Sequence, residues 1–267
     1  MIPKIIHYCW LSNDPIPQQH QDCMQTWKTI LPDYKWIKWD LSRFDINSSV
    51  WVREAFENKK YAFAADYIRL YAIFTMGGVY MDMDVEVLKP FDKFLENDFF
   101  TFNEYYPKRF QELGSDALLD ANGRRIKDGK IAFGLQAAVL GGEKGSNHVK
   151  ELMSYYENRH FVLPDGNLDT SIIAPTIYAH IAERWGFIYR DIEQKMNDRA
   201  TIYPSKYVAA TGDMRDNSNY AVHHCAHSWA SSINQSKLRH FKKKLCVRIA
   251  MLAKRLFYLT TARICVF

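Results

Sequence analysis

The sequence predicts an α/β protein: a mainly parallel sheet flanked by helices, followed by a basic amphipathic helix at the C-terminus. Three observations predict it. Apolar strand-like runs alternate with stretches of helical spacing, the acidic run "GGVYMDMDVEVLKP" follows a long helix directly, and the composition changes after residue 236. "PKIIHYCWL" reads as a buried first strand and "SNDPIPQQH" as the loop after it. "HQDCMQTWKTILP" has helical spacing, and "YKWIKWD" alternates as a second strand. "SSVWVREAFENKKYAFAADYIRLYAIFTMGG" carries two helices, the second closed by Gly77-Gly78 as a C-cap. The acidic strand follows. "NEYYPKRFQELGSDALLDANGRRIKDGK" is a loop-rich excursion with a hairpin turn at "ANG" or "DGK". "IAFGLQAAVLGG" reads as one apolar strand, and "NHVKELMSYYENRH" as a helix. "TSIIAPTIYAHIAERWG" is a helix with Pro175 in its first turn. "ATIYPSKYVAAT" and "YAVHHCAHSW" are late strands.

Composition narrows the classes. With 267 residues, 48% hydrophobic and 15% aromatic, the chain can build a sizeable core. The N-terminus lacks the pattern of a secretory signal, and no run reaches the roughly 18 apolar residues of a membrane span. The five cysteines are scattered and form no C-x-x-C. That argues for a reducing compartment, against a structural zinc site, and for a cytoplasmic location. Charge is divided. From Lys237 onward there are nine Lys and Arg and no acid; taken from totals of 35 and 30, they leave 26 basic against 30 acidic residues before it. Two segments are expected, 1–236 and 237–267.

The acidic run raises a question of placement. On a continuous strand, residues two apart share a face. Val79, Met81, Met83, Val85 and Val87 then point one way, and Tyr80, Asp82, Asp84 and Glu86 the other. Carboxylates crowded on one face repel, and burying them calls for a cation between them. A divalent metal fits that need. Upstream, Asp66 and Arg69 stand three apart on one helix face among apolar neighbours.

Taken together, "IPKIIHYCW", "ADYIRLYAIFTMGGVYMDMDV" and "AVHHCAHSW" resemble the DXD-containing sugar-binding-region glycosyltransferases, glycosyltransferase family 32. That family includes fungal initiating mannosyltransferases and bacterial capsular or lipopolysaccharide transferases. The resemblance spans roughly the first 230 residues and implies a GT-A fold. It also implies a nucleotide-sugar donor, UDP-linked in preference to GDP-linked, with Mn²⁺ or Mg²⁺ as cofactor. By the same resemblance Asp84 is the principal metal ligand, with Asp82 its partner. Asp66 and Arg69 line the donor sugar, Tyr80 packs on the donor, and Trp10, with Leu11 beside it, meets the base. A late histidine completes the metal or diphosphate site: His223 by spacing, with His224 and His227 as alternatives. Ser228 and Trp229 close over the phosphates. Gln136 faces the sugar from the opposite side, where the family's retaining chemistry needs a polar group. Ala65 stands where the family more often has Ser, and Tyr8 and "SNDP" replace its usual first-strand sequence. Both departures bear on donor identity. The expected acceptor is a glycan or lipid-linked glycan in surface polysaccharide synthesis.

From Lys237, Phe241, Leu245, Ile249, Leu252, Leu256 and Leu259 fall on one helical stripe, away from Lys243, Lys244, Lys254 and Arg255. Such a helix suits an anionic membrane surface, placing the protein peripherally on the inner face of the cytoplasmic membrane; a helix docked on the catalytic domain has the same pattern. Nucleic acid is not an expected partner, since no recognition module is present. Two rival functions remain at this level. One is a D-x-D phosphatase-like hydrolase, which would leave the D-x-x-R helix without a task. The other is a non-catalytic sugar-nucleotide or glycan-binding module.

Overall fold

Strand β1 (Ile5–Cys9) organises the main sheet. Parallel to it lie β2 (Lys35–Trp39) on one side and β3 (Gly78–Met81) on the other. The intervening chain forms α1 (Gln18–Ile30), α2 (Val50–Glu57) and α3 (Tyr61–Met76). Ser49 starts α2 by accepting a hydrogen bond from the Val52 N–H, one of the donors a helix start leaves unpaired. The computed structural model describes residues 1–197, 199–209 and 214–225. The described residues belong to one compact unit. His227, Ser228, Trp229 and the basic segment 237–267 lie outside the described residues.

Beyond β3 the chain makes β4 (Val85–Val87), β5 (Phe99–Tyr105), α4 (Pro107–Glu112), β6 (Phe133–Leu135), β7 (Val139–Gly142) and α5 (Asn147–Ser154). It continues with α6 (Ala174–Ala182), β8 (Gln194–Lys195), β9 (Ala200–Tyr203), β10 (Val208–Ala209) and β11 (Ala221–His223). The main sheet has the order β2-β1-β3-β7-β5-β9-β8, with β6 paired to β5. Strands β2, β1, β3, β5 and β9 run in one direction; β7 is antiparallel to both its neighbours. A second sheet, β10-β11-β4, packs beside it. Pro175 sits in the first turn of α6, where its missing N–H costs nothing.

Three expectations change. The acidic run is not one strand. Asp82 donates its N–H to the Ala138 carbonyl, and Val85 donates back to the Asp82 carbonyl, so the chain turns at Asp82–Asp84. The Trp27 indole then donates to the Val85 carbonyl at 2.7 Å and draws β4 toward α1. The twofold alternation survives the turn: Val79, Met81, Met83, Val85 and Val87 all enter one apolar cluster, and Tyr80 enters the other. Secondly, "IAFGLQAAVLGG" splits into β6 and β7, because Gln136 bonds to Phe102 and Thr101 of β5 and steps the chain across to the next strand. Finally, "FFTFNEY" forms β5, an inner strand of the sheet, although the sequence reading assigned it no element. Its Phe99–Asn103 stretch is buried on both faces, so the expected alternation is missing.

Candidate active site

The carboxyl ends of β1 and β3 are neighbours, and α3 runs into β3 through Gly77-Gly78, so the helix lies over the same sheet edge. Both Asp66 and Arg69 are buried on the inner face of α3. The Arg69 guanidinium donates to Asp66 at 2.9 Å, to the Ala137 carbonyl at 2.6 Å and to the Ala65 carbonyl at 3.2 Å. It also reaches within 3.8 Å of Asp82 and lies 4.8 Å from the Tyr80 ring centroid. Tyr80 donates its hydroxyl to Asp82 at 2.8 Å. The Arg69 cation thus ties the helix to β3 and the acidic turn, and the Tyr80 phenol holds Asp82 beside it.

The electrostatics follow from burial. It pushes the Asp66 carboxyl up to about 7, even though Arg69 pulls the other way. Burial also opposes the charge on Arg69, but Asp82, Tyr80 and Asp66 hold it protonated. Cys9 ends β1 beside this cluster, and burial lifts its thiol to about 12, so it is unreactive at neutral pH.

Asp82, Asp84 and His223 offer one ligand atom each within 4.8 Å of one another. His223 Nε2 lies 3.5 Å from the Asp84 carboxylate. Burial lowers the His223 pKa, but Asp84 and Cys225 outweigh it and raise the value well above that of a free imidazole. Two carboxylates and an imidazole form a donor set suited to Mn²⁺ or Mg²⁺ with substrate phosphate oxygens. Among the histidines suggested by spacing, His224 faces the other way and meets Glu86 at 3.2 Å. Strand alternation at β11 separates the two. Glu86, expected beside the aspartates, is turned away to Arg215 and His224.

Other candidates are placed less directly. Trp10 follows β1 at the same edge, half-buried, with its indole N–H on the Asp14 carbonyl. Leu11 is buried in the core next to it. Gln136 is buried at the step between β6 and β7. Two further residues had no signal in the sequence. Glu104, near the end of β5, has a carboxyl that burial pushes up to about 7 against the pull of His223 and Arg109. His7 is fully buried; its Nε2 bonds the Gly77 carbonyl at 2.8 Å, while Nδ1 accepts from the Trp39 indole at 3.0 Å. Burial drops its pKa to about 4, so it stays neutral and anchors the entry to β3.

Comparison with known proteins bears on this geometry. Residues 17–101 match the family described as glycosyltransferase sugar-binding region containing DXD motif. A mannosyl phosphorylinositol ceramide synthase of Saccharomyces cerevisiae is 38% identical over 88 residues, 32% of this chain and 23% of that protein. Inositol phosphoceramide mannosyltransferase 3 of Schizosaccharomyces pombe is 29% identical over 98 residues, 35% and 27% of the two chains. The chain thus spans about a quarter of the length of these curated relatives. Mouse xyloside xylosyltransferase 1 superposes with a TM-score of 0.49 at 9% identity, over 84% of this chain and 98% of that one. Both the D-x-x-R helix and the D-x-D turn fall inside the matched segment, so over residues 17–101 the chain is similar to the DXD-containing sugar-binding region of glycosyltransferases.

Proposed function

We propose that the protein is a metal-dependent, retaining glycosyltransferase. It moves a hexose from a nucleotide diphosphate sugar, UDP-linked in preference, to a glycan or lipid-linked acceptor in surface polysaccharide synthesis. The observation that carries this reading is the convergence of Asp82, Asp84 and the Asp66–Arg69 pair, all inside the matched sugar-binding region, with His223 brought to them from β11. Asp82, Asp84 and His223 would hold the divalent cation, which neutralises the charge of the departing diphosphate. The acceptor oxygen bonds to the anomeric carbon, the bond from that carbon to the diphosphate oxygen breaks, and the hydroxyl proton passes to the diphosphate. Asp66 accepts hydroxyls of the donor sugar and Arg69 fixes its direction. The mannosyl transfer in the relatives' names supports a hexose and keeps a GDP-linked donor in the comparison. Residues 237–267 are proposed to bring the enzyme to an anionic membrane surface on the cytoplasmic side, which suits a lipid-linked acceptor.

A thermal-shift screen of UDP-, GDP- and CDP-sugars with and without Mn²⁺ tests the reading. One nucleotide class should stabilise the wild type only with metal, by about 2.7 kcal/mol at a hundredfold excess over its dissociation constant. Asp84→Ala should lose that shift. No shift with any donor would sink the proposal and favour a hydrolase. A shift without turnover of any donor would favour a binding module.

A further inference from the structure

A cleft of about 180 Å³ opens between the ends of β5 and β6 and the second sheet, lined by Asn103, Glu104, Gln136, Lys206, Met214 and Asn219 among others. Its floor holds two buried polar atoms without a partner among the described residues, Asn103 Oδ1 and Gln136 Nε2. These side chains belong to residues only 0% and 1% exposed, where an unmet hydrogen bond is costly. Their orientations are fixed by what they already bond. Asn103 Nδ2 faces the Arg190 and Ile192 carbonyls at 3.3 Å each and the Asp191 carboxylate at 3.2 Å, which leaves Oδ1 without a donor in a residue that lines the cleft. Asp191 is itself held, accepting from the Ser205 N–H at 2.7 Å and the Ser205 hydroxyl at 2.6 Å. Gln136 Oε1 accepts from the Ala138 N–H at 3.2 Å, which leaves Nε2 with its hydrogens uncommitted.

The floor therefore presents one fixed acceptor and one fixed donor. A hydroxyl both donates and accepts, so it answers both atoms at once. Among the described lining residues the ionisable groups are two carboxyls, Glu104 and Asp216, against one ammonium, Lys206, so the lining offers no excess of positive charge to hold an anion. Glu104 also senses the charges of His223 and Asp82, so the cleft borders the acidic turn. We propose that this cleft is the acceptor subsite, and that it seats a neutral, hydroxyl-rich sugar ring with one hydroxyl bridging Asn103 Oδ1 and Gln136 Nε2. The assignment rests on the glycosyl-transfer reading above. It adds Asn103 as an acceptor-binding residue and makes the acceptor unit uncharged.

The test is ligand-observed NMR on the full chain, with and without Mn²⁺ and nucleotide diphosphate. The probes are the methyl glycosides of glucose, galactose and mannose, and methyl glucuronoside as the anionic control. At least one neutral glycoside should bind, and glucuronoside should bind more weakly than glucoside. Asn103→Ala should weaken binding about tenfold or more. Met214→Trp should abolish it by filling the cleft from the rim, and because Met214 is 42% exposed that change leaves the buried floor alone. Binding of no neutral glycoside, tighter binding of glucuronoside, or binding indifferent to both substitutions overturns the proposal. The Mn²⁺-dependent nucleotide shift, read on the same samples, separates the two failures. If it is intact in the wild type, only the acceptor subsite has failed; if it is absent, the donor reading has failed.

Discussion

Asp66 is held in the site at the expense of the fold. Its pKa in the folded state, about 7, stands above its unfolded value, so folding favours the protonated form. In the metal-free protein, its burial therefore destabilises the fold increasingly as pH rises from about 4 to 7. Asp66→Asn should raise the melting temperature more at pH 8 than at pH 5, while lowering transfer by about 10²-fold. A uniform drop in melting temperature at both pH values would contradict this account. His7 has the opposite sign. Its folded pKa, about 4, lies below the unfolded 6.5, so its contribution is present above pH 6.5 and is lost as pH falls toward 4. The loss amounts to about 3 kcal/mol. His7→Gln should be less stable than wild type at pH 7 and show a flatter stability profile between pH 6.5 and 4, measured by denaturant melts.

Elements place these residues through close backbone approaches. Gly78 has φ +123°, and a Cβ there would come within 2.7 Å of the Ile5 carbonyl on β1. Gly77 has φ +67°, with a Cβ position 2.9 Å from the Lys144 nitrogen. The pair does more than end α3: it lets β3 enter the sheet directly beneath the helix. Gly78→Ala should destabilise by about 1–3 kcal/mol, through strain and a forced shift of β1, as read from the urea midpoint. An unchanged midpoint would mean that the sheet edge yields freely. The break at Asp82 is of the same kind. Hydrogen bonds to distant partners, Ala138 and Trp27, together with the local Val85 to Asp82 bond, make the acidic run turn. The two aspartates share that turn rather than a continuous strand, and their ligand atoms stay within 4.8 Å of each other.

For the whole molecule, charge division is the informative feature. Residues before 237 carry a formal excess of acid, and those from Lys237 carry only base. Removing 237–267 should leave the melting temperature of the remainder nearly unchanged. It should also abolish sedimentation with vesicles containing about a third anionic lipid, an interaction that weakens with salt. Retained binding by the truncated chain would overturn the proposed membrane role of that segment.

The sequence by itself determined the alternation of strands and helices, the D-x-x-R helix, the acidic run after it and the basic segment. These depend on local periodicity and on charge spacing along the chain. It also contained the histidine pair, but only the pairing of β11 with β4 decided that His223 meets Asp84 while His224 meets Glu86. Tertiary structure alone revealed β5, because a strand buried on both faces has no alternating pattern to read. The role of His7 and the uncommitted atoms of Asn103 and Gln136 were equally hidden. Each depends on partners far away in the chain, and whether a buried polar group is satisfied is a property of the packed interior, not of neighbouring residues.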